Sequence, residues 1–186
     1  MKARPNKNRE GVVLEVNRRD ESLMAEAEST RPSPFRLKHV LVPIDFSDCS
    51  RKALRYAIPF AREHGAAITL LYVVPAGSSL GEYGGLEYAA VQDDLRDSGG
   101  KQLVELATTE VGKTVPVDTQ VRTGSPTREI LQAARELPAD LIVVSTHGRT
   151  GLQHVFLGSV AEHVVRRAPC PVLVVREREH EFVVPS

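Results

Sequence analysis

The stretch from Ala139 to Val175, ADLIVVSTHGRTGLQHVFLGSVAEHVVRRAPCPVLVV, decides the fold because it predicts a strand, a glycine-rich loop, a helix and a second strand in succession. Its apolar run Leu141–Val144 is typical of a strand buried on both faces of a parallel sheet. The segment Ser145–Gly151 then offers small residues and hydroxyl groups just past the end of that strand. Gly158 and Ser159 then open the helix, and Ser159 is of a type that caps helix N-termini. Glycines allow close backbone approach and a helix N-terminus carries partial positive charge, so this stretch predicts a place for a phosphate group.

Strand-like and helix-like segments alternate along the chain from Leu37 onward. Apolar runs predict strands at Leu37–Ile44, Ala66–Val74 and Val115–Val121, the last of them half-exposed at a sheet edge. Helical spacing predicts one helix from a Ser47 cap to Gly65 with a kink at Pro59, a second over Leu86–Val111 that is weakened at Ser98–Gly100, and a third over Thr127–Leu137. The alternation predicts an α/β fold, a doubly wound five-stranded parallel sheet of strand order 3-2-1-4-5 with helices on both faces.

The chain ends differ in composition from this alternating part. Residues 1–35 mix charges of both signs and close on Arg31-Pro32-Ser33-Pro34, which is typical of a linker. They are predicted to form a flexible N-terminal arm, with a short strand at Gly11–Val16 and a weak helix at Ser22–Ser29. The folded domain is predicted over residues 36–177, and residues 178–186 are predicted to be a C-terminal tail.

Composition excludes several classes of function. The formal net charge is +0 and aromatics make up 5% of residues with no Trp, so neither a nucleic-acid partner nor a membrane surface is expected. Cys49 and Cys170 are isolated, which argues against a zinc ribbon or a redox dithiol. No apolar run is long enough to span a bilayer, and a cytoplasmic location is predicted.

Two loops with ligand-binding chemistry follow predicted strands. Pro43-Ile44-Asp45 ends the first strand, and the loop from Ser145 to Gly151 follows the fourth. In strand order 3-2-1-4-5 these loops are neighbours at the switch point, where doubly wound sheets bind ligands. Asp45 could bind a ribose hydroxyl there, and the amides near Gly158 could bind phosphates. The alternative is that Asp45 only caps the first helix and the glycines are only turn residues.

Three motifs resemble the universal stress protein family. They are Thr146–Gly151, Leu157–Glu162 and Ala168–Val175, and the similarity extends from Lys38 to about Arg176, including the opening VLVPIDFS. The ATP-binding branch of that family is marked by a G-x-x-G-x9-G-[ST] pattern. In this sequence Gly148, Gly158 and Ser159 match the pattern, and Ser145 stands at its first glycine position.

The resemblance implies an adenine-nucleotide α-hydrolase-like fold that binds ATP together with Mg²⁺. It also implies a homodimer formed through the last strand, Pro171–Val175. The residues expected to contact the nucleotide are Pro43, Ile44, Asp45, Val73, Ser145, Thr146, His147, Gly148, Arg149, Gly151, Gly158, Ser159 and Val160. No catalytic residue is assigned. A nucleotide-free scaffold that acts through protein partners and a slow ATPase remain alternatives.

Two other features are not expected to carry chemistry. Gly112-Lys113-Thr114 has the ending of a P-loop, but Ala107 stands where that motif needs glycine and the segment precedes a strand instead of following one. His147, His154 and His163 lack a metal-ligand spacing and a nearby carboxylate pair. No metal site of the protein's own is therefore predicted.

Overall fold

The computed structural model describes residues 2–5, 12–15, 36–76, 85–146 and 158–176. The chain divides into two compact units, Met1–Phe35 and Arg36–Ser186. In the first unit, strands β1 (Lys2–Pro5) and β2 (Val12–Glu15) pair antiparallel. The strand predicted at Gly11–Val16 is thus confirmed as β2, whereas β1 was not predicted. The helix predicted at Ser22–Ser29 lies outside the described residues, and the flexibility of this arm stays a prediction.

The second unit alternates strands and helices as predicted. Its elements are β3 (His39–Ile44), α1 (Asp48–His64), β4 (Ala67–Pro75), α2 (Gly85–Leu106) with a π-helical extension (Ala107–Val111), β5 (Val117–Gly124), α3 (Pro126–Glu136), β6 (Leu141–Ser145), α4 (Ser159–Arg167) and β7 (Val172–Val175). All pairs in the five-stranded sheet are parallel, in the order β5-β4-β3-β6-β7. Counted from β3, this is 3-2-1-4-5, and the predicted fold is confirmed.

Two apolar layers cover the two faces of the sheet. Alternate residues of a strand point to opposite faces, so Val40 and Val42 belong to one layer and Leu41 to the other. The first layer packs α1 and α2 against the sheet, and the second packs α3 and α4. Burial on both faces explains why β4 is apolar apart from Thr69, since seven of its nine residues are buried.

Helix α1 has the termini that its sequence predicts. The Ser47 side chain accepts a hydrogen bond from the Ser50 amide at 3.2 Å, which satisfies one otherwise unpaired N–H of the first turn. Gly65 ends the helix in the left-handed conformation with φ 65°, which glycine adopts without steric cost. The helix continues through Pro59 to His64.

Helix α2 is continuous where the sequence predicts weakness. It passes through Ser98, Gly99 and Gly100 without a break. A Cβ atom at Gly99 would collide with the ring of Tyr72 on β4, so the absent side chain lets the ring lie against the helix. Gly99 therefore allows α2 to pack closely against β4. No helix in the part of the chain that the structure describes is long and apolar enough to cross a membrane.

Asp140 joins the start of β3 to the segment that leads into β6. Its Oδ2 accepts hydrogen bonds from the backbone amides of Lys38 at 2.7 Å and His39 at 3.0 Å. The Lys38 amide is the main reason why the pKa of Asp140 lies below its ordinary value of 3.8. A carboxyl whose pKa is lowered by folding stabilises the folded state above that ordinary value, and the stabilisation is lost as pH falls through the folded pKa.

We expect Asp140→Asn to lower the free energy of unfolding by about 1 kcal/mol at pH 7, because two charge-assisted hydrogen bonds at a partly exposed site are weakened. Urea unfolding of wild type and variant, at pH 7 and at successively lower pH, measures this difference in the free energy of unfolding. The difference from wild type should shrink as pH falls below 4, since the wild-type carboxyl then becomes neutral too. A difference that does not change with pH would show that the charge of Asp140 is not the cause.

Candidate functional site

A cavity of about 330 Å³ lies at the carboxyl ends of β3, β4 and β6. The first residues of α3 and α4 close it, which is the usual ligand position in a doubly wound sheet. Its volume lies at the small end of the range for small-molecule sites. The lining residues are Pro43, Ile44, Asp45, Ser50, Leu71, Tyr72, Val73, Pro75, Pro126, Ile130, Val144, Ser145, Thr146, Gly158, Ser159, Val160 and Ala161.

The lining combines apolar and polar groups from different elements. Aliphatic side chains come from several elements, including Leu71 and Val73 of β4 and Ile130 of α3. Hydroxyl and carboxylate side chains come from the ends of β3 and β6, from the start of α4 and from Ser50 of α1. A mostly apolar cavity with a few convergent polar groups can hold a flat aromatic ring and orient its polar substituents.

Asp45 lies directly after β3 and is held in place by the start of α1. Its Oδ1 accepts hydrogen bonds from the Ser47 amide at 3.1 Å and from the Ser47 hydroxyl at 2.6 Å. The N-cap of α1 is Ser47 and not Asp45. Asp45 therefore supports the helix cap and also lines the cavity, so its two predicted roles, at the start of the first helix and at a ligand site, are compatible.

Phe46 turns the chain sharply between Asp45 and Ser47. It is the one non-glycine residue with positive φ, 66°, among those the structure describes. This conformation costs about 1–2 kcal/mol for a residue with a side chain. The Phe46 ring packs against the Tyr72 ring with centroids 4.8 Å apart and planes at 52°. That contact offsets the strain and fixes Tyr72, which lines the cavity.

Gly158 holds the start of α4 close to the end of β6. Its amide donates to the carbonyl oxygen of Thr146 at 2.8 Å. A Cβ atom at Gly158 would lie 2.8 Å from the same oxygen, which is too close for any side chain. Its φ of −62° is ordinary, so glycine is needed here for space and not for conformation.

The prediction that Ser159 caps α4 is wrong. Gly158 is the N-cap and Ser159 is the first helical residue, because only Gly158 can approach Thr146 closely enough. A glycine offers no side chain to the amides of the first turn, so Gly158 makes no side-chain cap. The residues of that turn, Ser159, Val160 and Ala161, line the cavity. The helix N-terminus therefore faces a ligand space with the charge that favours an anion.

Nine of the thirteen predicted site residues line the cavity. They are Pro43, Ile44, Asp45, Val73, Ser145, Thr146, Gly158, Ser159 and Val160. His147, Gly148, Arg149 and Gly151 lie outside the described residues. The sequence analysis missed the lining residues of α3, Pro126 and Ile130, although a helix that follows the strand beside β4 could have indicated them. It also missed Tyr72, for which the sequence carries no signal.

The described residues contain no group of three or more His, Cys, Asp or Glu side chains that could hold a metal ion. The two cysteines are reduced. Burial, and then the nearby Asp140 carboxylate, raise the pKa of the Cys170 thiol, so this thiol is a poor nucleophile at neutral pH.

The profile of the universal stress protein family matches residues 36–176, which is the whole described sheet domain. The chain belongs to the universal stress protein family. The family assignment made from the three sequence motifs is confirmed.

This universal stress protein has clear relatives. It is 35% identical over 144 residues to a universal stress protein of Methanocaldococcus jannaschii, covering 77% of this chain and 85% of the relative. Its structure is similar to that of a universal stress protein of Lactobacillus plantarum, with 31% identity, a TM-score of 0.62 and coverage of 76% and 99%. A universal stress protein solved in complex with cAMP shares the fold at 24% identity and a TM-score of 0.56, covering 76% of this chain and 98% of the other.

Proposed function

We propose that this universal stress protein binds an adenine nucleotide, ATP, in the cavity between β3, β4, β6 and the start of α4. The observation that carries the proposal is the contact of Gly158 with Thr146, which brings the N-terminus of α4 to the wall of a cavity with an apolar interior. A nucleotide combines the two chemistries that such a cavity accommodates, a flat apolar base and an anionic phosphate chain.

The lining groups divide between the parts of the nucleotide. Leu71 and Val73 offer apolar contact to the adenine ring from β4, and Asp45 lies where it can accept hydrogen bonds from ribose hydroxyls. The first-turn amides of α4, together with the Ser159 hydroxyl, donate to the phosphates. The family resemblance implies that Gly148, by its place in the sequence pattern, also binds the phosphates.

Magnesium would enter this site with the nucleotide. Because the described residues include no metal-binding cluster, the ligands of Mg²⁺ would be phosphate oxygens and water. The ion would neutralise part of the phosphate charge. Asp45 already accepts two hydrogen bonds from Ser47 on one oxygen, which favours a binding role for this carboxylate over that of a general base. The proposed function is therefore that of a nucleotide-binding stress-response module in the cytoplasm.

The nucleotide proposal is tested by thermal unfolding with increasing ATP and Mg²⁺. A ligand that binds only the folded state should stabilise it by about 2.7 kcal/mol at a concentration of one hundred times its Kd. Adenosine serves as the control that contributes the base and ribose without phosphates. An unchanged unfolding temperature at millimolar ATP would contradict the proposal.

We further propose that the protein is a homodimer through β7. This strand is at the edge of the sheet, and an edge presents unpaired backbone groups to a second strand. Val172, Leu173 and Val174 are only half-buried in the single chain, so pairing would remove apolar surface from water. Light scattering coupled to size-exclusion chromatography should give twice the chain mass of 20.4 kDa. A mass equal to that of one chain would contradict the dimer.

A further inference from the structure

A second cavity, of about 610 Å³, forms a groove between α3 and α4. Its lining residues are Ser125, Thr127, Arg128, Leu131, Arg135, Ser159, His163 and Arg167. We call it the basic groove, because three arginines and one histidine line it and none of these lining residues is acidic. Ser159 lines both this groove and the cavity described above.

Helical spacing places the basic side chains on two facing stripes. Arg128, Leu131 and Arg135 are separated by three and four residues along α3 and share one face of that helix. Ser159, His163 and Arg167 are four residues apart along α4 and share one face in the same way. The His163 Nδ1 donates to the carbonyl oxygen of Ser159 at 2.7 Å, which holds the imidazole ring along the stripe.

No carboxylate of the described residues neutralises the positive charge of the groove. None of Arg128, Arg135 and Arg167 forms an ion pair with another described residue. The acidic residues of the two helices are engaged elsewhere: Glu129 and Glu136 pair with Arg122 on β5, and Glu162 pairs with Arg166. Three exposed guanidinium groups therefore converge on one groove, and none of them has an acidic partner in the part of the chain that the structure describes.

The groove begins at the nucleotide cavity and leads away from it. Both helices connect parallel strands, so they run in the same direction, with their N-termini at the carboxyl edge of the sheet. Ser125, Thr127 and Ser159 thus lie at the cavity end, and Arg135 and Arg167 lie at the far end. Eight residues separate Ser159 from Arg167, which is a distance of about 12 Å along a helix.

We propose that the basic groove binds a phosphoanhydride chain. The chain has two possible sources: the extended tail of a nucleotide whose adenosine part occupies the neighbouring cavity, which rests on the proposed function, or a free inorganic polyphosphate. Guanidinium groups bind phosphate oxygens in a bidentate manner, and a linear polyanion matches two parallel stripes of them. Among the described residues no Phe, Tyr or Trp lines the groove, so a stacking platform for nucleic-acid bases has no support there.

The test compares the affinities of AMP, ATP, adenosine 5′-tetraphosphate and inorganic tripolyphosphate by calorimetry at low and moderate salt. The groove variant is the double substitution Arg135→Gln and Arg167→Gln. The matched control is Arg55→Gln and Arg96→Gln, which removes the same charge from exposed arginines on α1 and α2. The groove variant should weaken adenosine tetraphosphate binding by about tenfold, less at higher salt, because both arginines are exposed. It should leave AMP affinity unchanged, and the control should resemble wild type.

The outcomes separate the groove from the nucleotide site. If AMP binds but a longer phosphate chain gains nothing and the groove variant changes nothing, the groove proposal is overturned while the proposed function stands. If no adenine nucleotide binds but tripolyphosphate binds and is lost in the groove variant, the groove takes free polyphosphate and the proposed function fails. If the groove and control variants lost affinity for adenosine tetraphosphate equally, the cause would be the overall charge of the protein and not the groove, and the proposal would be overturned.

Discussion

Replacing Gly158 with alanine is expected to lower the affinity for ATP roughly 100-fold. The added Cβ would lie 2.8 Å from the Thr146 carbonyl oxygen, so α4 must move away from β6. The amides of its first turn would then no longer be placed to donate hydrogen bonds to the phosphates. Two charge-assisted hydrogen bonds lost at about 1.5 kcal/mol each correspond to that fold-change. Calorimetric titration of the variant with ATP and Mg²⁺ measures the effect.

The control for this prediction is Gly100→Ala. Gly100 is in the middle of α2 and outside the cavity, and a Cβ there would lie 3.8 Å from Val121, which is ordinary contact. The control should bind ATP as wild type does. Circular dichroism should show that Gly158→Ala remains folded, because the change affects the first turn of one short helix. ATP affinity that survives in a folded Gly158→Ala protein would mean that the phosphates do not bind at this helix.

Gly99→Ala and Gly100→Ala are expected to change stability in opposite directions, although the two glycines are adjacent. A Cβ at Gly99 collides with the Tyr72 ring, and overpacking of this kind costs about 1–3 kcal/mol. At Gly100 there is room, and replacing a helical glycine by alanine stabilises by about 0.5–1 kcal/mol. Urea unfolding of the two variants measures both changes against wild type.

The Gly99→Ala variant should also bind ATP more weakly. Tyr72 is one of the residues that line the nucleotide cavity, and its ring packs against Phe46, which follows Asp45. Displacement of this ring therefore weakens the support of the turn that holds Asp45. If both alanine variants were stabilised, α2 would not lie against Tyr72 as described.

The sequence predicts the sheet well because a strand that is buried on both faces has a simple sequence pattern. Runs such as Leu141–Val144 must be apolar throughout, and the helices between them repeat at helical spacing. Once the order 3-2-1-4-5 is adopted, the ends of β3 and β6 must be neighbours. The strand order alone therefore predicts that Asp45 and Gly158 lie on the same cavity, without knowledge of any side-chain contact.

The details that the sequence did not predict depend on contacts between distant residues. Local propensity makes Ser159 the better cap, but the close approach of Gly158 to Thr146 shifts the helix start by one residue. The same propensity makes Gly99 a weak point, whereas the Tyr72 ring makes it necessary. The positive φ of Phe46 has no local sequence signature, because a phenylalanine disfavours it and only tertiary packing maintains it.

The most direct test of the central claim is a crystal structure of the protein grown with saturating ATP and Mg²⁺. We expect adenine against Val73 and Leu71, ribose beside Asp45, and phosphates at the first turn of α4 next to Gly158. ATP bound elsewhere on the protein, or this cavity without nucleotide at saturating concentration, would contradict the account.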